Sequence, residues 1–349
     1  MDRSRGGGSG RRVIREADRL LARCRFPAPG SVLDCAVSGG PDSLALVVLA
    51  GVAGCRVRAF HVDHGLREGS AADAELVAEA AARLGAEFRA ERVEVEPGPN
   101  LEARARAARF AVLPPEVATG HTMDDQAETV LCNLLRGTGP DGLAAMRAGR
   151  HHPLLGLRRR ETRWVCEEWG LRWVEDPSNV DPRHLRNRVR HELLPMCAEL
   201  SGRDPVPLLA RLAELAASDA ELLDALSAEA VPDPTVAADL TRAPAPLASR
   251  AVRRWLRSAG ATPQAGGRRS SVPGPDRHPP SLADVRRVLA VAAGDAVATE
   301  ISGGWRVRRS RGRLSASPPG PAEQAAGGPG RAGGIGQARH ARGTGQAPN

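Results

Sequence analysis

Through the first 140 residues, short apolar runs alternate with segments whose apolar residues recur every three or four positions. The runs predict strands at residues 31–37, 55–62, 87–95 and 117–119. The periodic segments predict helices at 11–24, from 43 onward, and at 71–84, 101–113 and 124–135. Strands that alternate with helices are typical of an α/β fold with a doubly wound parallel sheet. Such sheets bind ligands at the carboxyl ends of their strands, so the loops after the strands are the candidate functional segments.

The pattern changes after Gly142. It predicts a helical stretch over 154–170, a turn-rich segment over 173–179, an arginine-rich helix over 186–195, further helices over 205–230, 246–259 and 281–293, and a hairpin over 300–314. The hairpin would turn at Ser302-Gly303-Gly304. These later elements predict a second, smaller and mainly helical domain.

Gly and Pro, 38 and 28 residues respectively, are abundant and cluster in a few segments. Segments rich in Gly, Pro, Ser and Arg bury little apolar surface and are predicted to be disordered. The predicted organisation is a disordered N-terminus at 1–10, an α/β domain at 11–197, a helical domain at 198–315 with a disordered insertion at 261–280, and a disordered tail at 316–349.

The cysteine pattern and the hydropathy bear on location. The six cysteines show no Cys-x-x-Cys spacing, and the chain has neither a secretory signal pattern nor an apolar run of membrane-spanning length. We therefore expect reduced thiols, a cytoplasmic location and no membrane association.

All 49 basic residues are arginine, and the formal net charge is +8. Guanidinium groups pair with phosphate through two hydrogen bonds and stack on bases, so this charge suits a polyanionic partner. A genomic bias toward arginine and alanine would produce the same composition. The composition leaves both explanations open.

The segment Ser38-Gly39-Gly40-Pro41-Asp42-Ser43 lies between a predicted strand and a predicted helix. Adjacent glycines allow a sharp turn close to a ligand, and Asp42 and Ser43 can cap the first N–H groups of the helix. Oriented amides at a helix N-terminus bind phosphate or pyrophosphate. Because no lysine follows the glycines, this is not the nucleotide loop that ends in Gly-Lys-Ser/Thr. A plain glycine-rich turn is the alternative interpretation.

A second polar cluster opens the helix predicted at 124–135. Asp124 and Glu128 are four residues apart and share one helix face, whereas Asp125 points away by roughly 100°. Two carboxylates on one face, with His121 nearby, can hold a metal ion or a substrate ammonium. The alternative is an acidic first turn that is stabilised by the helix dipole and capped by Thr122, and for Asp125 this alternative is at least as good.

Two further segments carry candidate binding residues. His61 and Asp63 end the second predicted strand, where either side chain could position a nucleotide. A zinc site is not favoured here, since no further Cys or His follows at the spacing of zinc ligands. In the helix predicted at 101–113, Arg106 and Phe110 share one face and Arg109 lies on a neighbouring one. These arginines form either a solvated basic face or a group that neutralises phosphate charge.

The chain resembles the tRNA(Ile)-lysidine synthetase family of the pyrophosphate-loop N-type ATP hydrolase superfamily. The resemblance rests on ordered segments at Ser38–Ser43, His121–Gly139, Gly142–Met146, Pro153–Leu155, Gly170–Trp173, Glu175–Asp181 and Arg186–Arg190. It covers about residues 31–197, and residues 205–314 are similar to that family's helical second domain more weakly. This sequence has Phe110 where relatives often have tyrosine, and His151-His152 where an arginine is common.

The resemblance implies an ATP-pyrophosphatase domain, a tRNA-binding helical domain and a defined reaction. ATP adenylates the C2 oxygen of the wobble cytidine in the CAU anticodon of tRNA(Ile) and releases pyrophosphate. The ε-amine of free lysine then attacks C2 and expels AMP, which leaves lysidine. ATP and Mg²⁺ are the implied cofactors, tRNA(Ile) and lysine are the implied partners, and a homodimer stays open.

The resemblance also implies roles for individual residues. The loop 38–43 would hold the pyrophosphate, and Asp42 would help to place magnesium. Asp124 and Glu128 would hold the lysine ammonium and help to deprotonate it, because an amine attacks only when neutral.

Three further residues, His121, Arg109 and Arg190, would steady the activated cytidine and the α-phosphate. His61 and Asp63 stay candidates for positioning the nucleotide.

Other functions compete with this one. A tRNA thiolase on the same fold would normally use paired reactive cysteines, and an amide-forming synthetase would often carry a glutaminase domain; the sequence favours neither. A non-catalytic arginine-rich RNA-binding module would bind tRNA without ATP. The acidic helix at 124–128 argues against that module, because carboxylates weaken RNA binding unless they take part in chemistry.

Overall fold

The computed structural model describes residues 15–63, 70–93, 101–175, 181–260 and 280–319. The segments predicted to be disordered lie outside these ranges, apart from residue 280 and residues 316–319. Most of the segment predicted to be turn-rich, residues 176–179, also lies outside them.

A four-stranded parallel sheet forms the centre of the first domain, which confirms the predicted α/β class. Its strands are β1 (Val32–Ala36), β2 (Arg56–Asp63), β3 (Glu87–Arg92) and β4 (Ala118–Thr119), in the order β3-β2-β1-β4. The chain moves outward from β1 to β3 and then returns to the other side of β1 to form β4. The loops after β1 and β4 therefore meet at the point where the strand order reverses, the usual ligand position in such sheets.

The helices of this domain are α1 (15–21), α2 (Pro41–Val52), α3 (Ser70–Arg83), α4 (Leu101–Val112), α5 (Met123–Leu135), α6 (Pro140–Leu143) and α7 (Arg159–Glu168). Helix α2 is buried around its middle, where every residue from Ser43 to Ala50 is buried. A helix that is apolar on all sides belongs in a core. Its position behind β1 fixes the loop that joins the two elements.

The chain continues through α8 (Leu185–Arg188), a π-helical turn (Val189–Leu193), α9 (Leu194–Ser201), α10 (Pro205–Ala230), α11 (Ala237–Arg242), α12 (Ala245–Ser258) and α13 (Leu282–Ala293), and ends in the antiparallel strands β5 (Ala298–Ile301), β6 (Trp305–Ser310) and β7 (Arg313–Ser317). Helices α11 to α13 pack on the small sheet around a second apolar core that includes Leu256, Val285 and Val307. The predicted smaller, mainly helical domain is therefore present.

Several predicted boundaries differ from the structure. The helix expected over 154–170 begins only at Arg159, because Leu154 and Leu157 are fully buried in the turn before it. The expected hairpin is a three-stranded sheet: β7 pairs with β6 and extends through Ser317, two residues into the predicted tail. The helix predicted over 186–195 is present as α8, the π-helical turn and the start of α9. Helix α11 was not predicted, since a segment of six residues is too short to show a period.

The expectations about thiols agree with the structure. All six cysteines are free, and five of them are buried. Within the described ranges, no helix combines the length and apolar character needed to cross a bilayer.

Gly120 allows the end of β4 to approach the start of α2. A Cβ at this position would lie 2.5 Å from the Asp42 carbonyl oxygen and 2.7 Å from its carbon, and both are backbone atoms of the first turn of α2. We expect Gly120→Ala to destabilise the fold by about 2 kcal/mol, in the range of an overpacked core. Gly51→Ala is the control: it has open space around it within α2 and should stabilise the protein by about 0.5 kcal/mol. Urea unfolding of both variants measures the difference, and equal effects would contradict the close approach.

Candidate active site

The loop after β1 presents backbone amides at the switch point of the sheet. Gly39 has a φ of +87°, a left-handed conformation in which any side chain is strained, and its carbonyl accepts a 2.9 Å hydrogen bond from the Val174 amide. Gly40 occupies the N-cap position of α2, with Pro41 at the first helical position. The first-turn amides of Asp42 and Ser43 then have no partner within the helix, which suits phosphate.

The expected capping by Asp42 and Ser43 is not what the structure shows. The Ser43 hydroxyl donates to the Gly40 carbonyl (2.9 Å) and accepts from the Ser38 amide (3.2 Å), so it closes the loop on itself. The Asp42 side chain turns toward α7 instead. Its carboxylate accepts a hydrogen bond from the Thr162 hydroxyl and lies 3.5 Å from Nε of Arg159.

Asp42 is harder to ionise than an ordinary aspartate. Burial and the nearby Asp125 charge raise its pKa from 3.8 to about 6, although Thr162 and Arg159 act in the opposite direction. Its side chain keeps a quarter of its surface exposed, so it is both partly desolvated and accessible to a ligand.

Asp125 joins the start of α5 to two arginines. Its Oδ2 accepts hydrogen bonds from the Thr122 amide and hydroxyl, both at 2.8 Å, so Thr122 is the N-cap as predicted. Its Oδ1 accepts from Arg159 and Arg186, both at 3.0 Å. Burial by itself would raise the pKa of Asp125, but Arg159, Arg186 and His121 hold it well below the usual range. Asp125 is thus more than an acidic residue of a helix turn, because it is buried and binds two cations.

Glu128 is completely buried and surrounded by guanidinium groups. Oε1 accepts from Nε of Arg190 at 2.7 Å and from both terminal nitrogens of Arg159 at 3.2 Å. Oε2 accepts from Nε of Arg186 at 2.8 Å and from Nη2 of Arg190 at 3.1 Å. These bonds occupy the roughly four acceptor sites of a carboxylate.

Asp124 lies beside this group and shares an arginine with the second domain. Its Oδ2 accepts from Nε of Arg158 (3.0 Å) and from the Arg159 amide (2.8 Å). Arg158 also binds the carboxylate of Asp204, the N-cap residue of α10. The Asp204 side chain is about half exposed, at 46%.

We call these groups the acid–base cluster. It consists of four carboxylates and four arginines: Asp42, Asp124, Asp125, Glu128, Arg158, Arg159, Arg186 and Arg190. Opposite charges are equal in number, so the cluster is neutral overall. Sequence reasoning missed the roles of Arg158, Arg159, Thr162 and Asp204, since nothing separates them from other polar residues in so arginine-rich a chain. For Arg186 the sequence offered one indication of a role, its position in the Arg186–Arg190 segment that resembles the family.

A cavity of about 290 Å³ opens beside the acid–base cluster. Its polar wall includes Asp124, Glu128, Arg190 and Asp204, and its apolar wall consists of Leu194, Pro195, Ala198, Pro205 and Val206. The cavity therefore lies where α5 and α7 of the first domain meet α9 and the start of α10. A ligand with charged ends and an aliphatic middle matches such a lining.

His121 lies at the end of β4, next to the cluster. The Thr119 hydroxyl contacts Nδ1 of His121 at 2.6 Å and Nδ1 of His152 at 2.9 Å, and the two imidazole rings meet edge to face at 5.1 Å. His121 also acts electrostatically on Asp125. The structure thus brings His121 together with the predicted carboxylates.

The remaining candidate residues belong to neighbouring elements. His61 is buried, and its Nδ1 donates to the Val37 carbonyl at 2.8 Å, so it braces the strand that precedes the loop. Asp63 ends β2, and its carbonyl accepts from the Val93 amide.

Arg109 lies in the last turn of α4, a helix that contributes no residue to the acid–base cluster. Its guanidinium is 5.9 Å from the centre of the Phe110 ring, and Phe110 packs against the core cluster of Phe60, Leu113 and Val117. The side chain of Arg106 lies outside the described residues.

The fold and the loop define a PP-loop domain, and the family model described as "PP-loop domain" matches residues 11–197. Curated relatives named tRNA(Ile)-lysidine synthase include one from Nocardia farcinica, 41% identical over 263 residues, which are 71% of this chain and 83% of the relative. Another, from Salinispora tropica, is 40% identical over 339 residues, 89% of this chain and 96% of the relative. The chain therefore belongs to the tRNA(Ile)-lysidine synthase family, as its motifs predicted.

Proposed function

We propose that this protein is an ATP-dependent ligase that joins lysine to C2 of the wobble cytidine in the CAU anticodon of tRNA(Ile). The observation that carries the proposal is the PP loop at the switch point, directly beside a buried acid–base cluster and a mixed polar and apolar cavity, in a member of this family. In the first step the C2 oxygen attacks the α-phosphate of ATP and pyrophosphate leaves. In the second step the lysine ε-amine forms the C2–N bond, AMP leaves with the oxygen, and the amine loses a proton.

The loop 38–43 and the first turn of α2 would bind the departing pyrophosphate. Their amides point out of the helix start, where the helix dipole favours an anion. Asp42 fits magnesium, which in nucleotide sites is commonly held by one or two carboxylates together with phosphates and water. The Thr162 hydroxyl orients that carboxylate. Magnesium would offset the phosphate charge when bound.

The geometry supports an indirect role for Glu128 instead of the predicted contact with lysine. Its acceptor sites are occupied by Arg159, Arg186 and Arg190. A buried carboxylate that holds three guanidiniums fixes their positions before substrate arrives. Preorganised cations of this kind stabilise the negative charge that develops at a transferring phosphate.

The 290 Å³ cavity is the proposed lysine site. Leu194, Ala198 and Val206 would contact the aliphatic stem of the amino acid. Asp124 and Asp204 would bind its ammonium groups, and Asp124 would accept the proton that makes the ε-amine nucleophilic. The roles of His121 and Arg109 at the cytidine and the α-phosphate stay predictions.

Burial of five of the six cysteines argues against the sulfur-transfer alternative. Burial raises the pKa of Cys24 and of Cys166 to about 12, and Cys35 is shifted in the same direction. A thiol with so high a pKa is not a nucleophile near neutral pH.

The test is ATP-dependent transfer of labelled lysine to tRNA transcripts. We expect label on tRNA(Ile) with a CAU anticodon, AMP release in equal amount, and no label on methionine tRNA, which has the same anticodon. Omission of ATP is the control for non-covalent binding. AMP release without lysine incorporation, when ammonia or a sulfur donor is supplied instead, would contradict the proposed second substrate.

A further inference from the structure

Two imidazole rings and a backbone carbonyl meet the hydroxyl of Thr119 at the end of β4. Nδ1 of His121 lies 2.6 Å from Oγ1 of Thr119, and Nδ1 of His152 lies 2.9 Å from it. The third contact is the carbonyl oxygen of His151, 3.1 Å from the same hydroxyl. That carbonyl also accepts a 2.9 Å hydrogen bond from the Thr119 amide. The loop at 151–152 is therefore bound to the end of the strand that precedes His121.

The positions of the protons follow from what each group can donate or accept. A hydroxyl donates one hydrogen bond and accepts two, a carbonyl only accepts, and each nitrogen of a neutral imidazole is either a donor or an acceptor. If the Thr119 proton points at the His151 carbonyl, both Nδ1 atoms donate to Oγ1 and all three contacts are hydrogen bonds. If it pointed at either ring instead, two oxygen atoms would face each other at 3.1 Å with no proton between them. The first arrangement is therefore favoured.

We propose that Thr119 is a positioning residue, which holds His121 in the tautomer that carries its proton on Nδ1. In the neutral ring Nε2 is then the acceptor. An acceptor nitrogen binds an N–H group, such as the exocyclic amine of cytidine, and repels a phosphate oxygen. The tautomer thus assigns neutral His121 to the cytidine and not to the α-phosphate. This assignment rests on the proposed function, whereas the tautomer itself does not.

His152 restricts the orientation of the same ring. The imidazoles of His121 and His152 meet edge to face, with centroids 5.1 Å apart and planes at 81°. Such a pair is attractive because the positive edge of one ring meets the negative face of the other. The hydrogen bond at Nδ1 and the edge-to-face contact together limit rotation of the His121 ring about its Cβ–Cγ bond. His121 therefore has both a defined tautomer and a defined direction.

The neighbouring carboxylates do not take over the role of Thr119. Asp125 is close enough to His121 for their charges to interact, but its two oxygens already accept hydrogen bonds from the N-cap of α5 and from two arginines. The carboxylate on the other histidine, Glu116, contacts Nε2 of His151 at 3.6 Å. The hydroxyl of Thr119 is the group in contact with Nδ1 of His121, and it determines the proton there.

The first measurement is the tautomer of His121 in the full-length wild-type protein, by nitrogen NMR of a sample with ¹⁵N-labelled histidine. The chain has nine histidines, so the His121 signals are assigned by comparison with His121→Gln. Spectra are recorded at a pH high enough to keep the rings neutral. We expect a protonated Nδ1 and an unprotonated Nε2. A proton on Nε2 in the wild type would overturn the proposal without any variant of Thr119.

Thr119→Val keeps the shape of the side chain and removes the hydroxyl. We expect the His121 proton to move to Nε2, its preferred position in free histidine. The kcat for lysine transfer should fall at least about tenfold, the scale seen when a histidine loses the partner that orients it. The KM for lysine should be nearly unchanged, because Thr119 and His121 do not line the cavity. Thr119→Ser keeps the hydroxyl and should restore both the tautomer and the turnover.

Thr299→Val is the matched control. Thr299 also lies on a strand, is half-buried and donates its hydroxyl to a backbone carbonyl, that of Glu300 at 3.3 Å, but it belongs to β5 of the second domain. This variant should change neither the tautomer nor kcat. A Thr119→Val protein that keeps the proton on Nδ1, or that turns over like the control, would overturn the proposal. Circular dichroism establishes that both variants are folded; if Thr119→Val is not, the wild-type tautomer decides.

The tautomer is measured without substrates, so it tests the inference independently of the reaction. A wild type that has the proton on Nδ1 and transfers no lysine would uphold the positioning by Thr119 and refute the proposed function. A wild type that transfers lysine with the proton on Nε2 would do the opposite.

Discussion

Glu128→Gln should abolish lysine transfer and destabilise the protein by about 3–5 kcal/mol, the usual cost of removing one partner from a buried ion pair. The carboxylate is completely buried and accepts hydrogen bonds from Arg159, Arg186 and Arg190. A glutamine of the same shape removes the negative charge and directs an NH₂ group at guanidinium donors. Three cations would then lose their shared counter-charge, and the arginines would no longer be held in place for the phosphate.

The matched control is Glu192→Gln. Glu192 pairs with Arg188 on the surface, where both side chains are more than half exposed, and such pairs contribute at most about 1 kcal/mol. Urea unfolding gives the free energy of unfolding for both variants, and transfer assays are run well below the unfolding midpoint. If Glu128→Gln unfolds like the control, Glu128 does not organise the arginines, and the proposed indirect role is wrong.

Asp42→Asn should also stop lysine transfer, yet it should make the protein more stable near neutral pH. The reaction needs the ionised carboxylate, because asparagine binds magnesium poorly next to the pyrophosphate loop. The folded state is instead more stable with a neutral side chain at this position, since burial and the Asp125 charge raise the pKa of Asp42 to about 6. A substitution that removes function and adds stability is the mark of a residue kept for its chemistry.

The sign of this effect follows from proton linkage. The folded protein favours protonated Asp42, so the stability contributed by its raised pKa is complete below about pH 4 and is lost as the pH rises through about 6. Asparagine is neutral at every pH, so the Asp42→Asn variant keeps this stability as the pH rises. We therefore expect no difference below pH 4 and an advantage of about 2 kcal/mol for Asp42→Asn above pH 7, after allowing for the exposed quarter of the side chain.

The measurement is urea unfolding from pH 4 to 8, with Asp295→Asn as control because Asp295 is exposed, follows α13 and is not part of the cluster. Binding of tRNA should be retained in both variants. A stability difference that shrinks as the pH rises would contradict the raised pKa. Near-normal lysine transfer by Asp42→Asn would refute the role of Asp42.

The phosphate loop was predictable because its chemistry is local. Ser38, Gly39, Gly40 and Ser43 lie within six residues, and a strand, a left-handed turn and a helix start can be identified from neighbouring residues alone. The same holds for Asp124 and Glu128, which share a helix face through the helical period. The arginines that bind these carboxylates could not be predicted in the same way. Helical spacing shows which side chains share a face, but not which cations from other segments meet it.

Glu128 shows where that limit lies. In the sequence it is a carboxylate free to bind lysine; in the structure Arg159, Arg186 and Arg190 approach it from positions 31 to 62 residues further along the chain. In a protein whose 49 basic residues are all arginine, no composition signal separates these three from the others. Asp204 joins the site for a similar reason: it caps a helix of the second domain, and only packing of that helix on α5 brings it to Arg158.

Local residue order was therefore enough for the α/β class, the phosphate loop, the acidic helix face and the family, because each depends on contacts between residues close in sequence or on ordered motifs. The pairing of Glu128 with three arginines, the raised pKa of Asp42 and the cavity between the two domains depended on folding. Electrostatic environment and enclosed volume arise from groups that are distant in sequence, and their positions are defined only when the helices pack around the sheet.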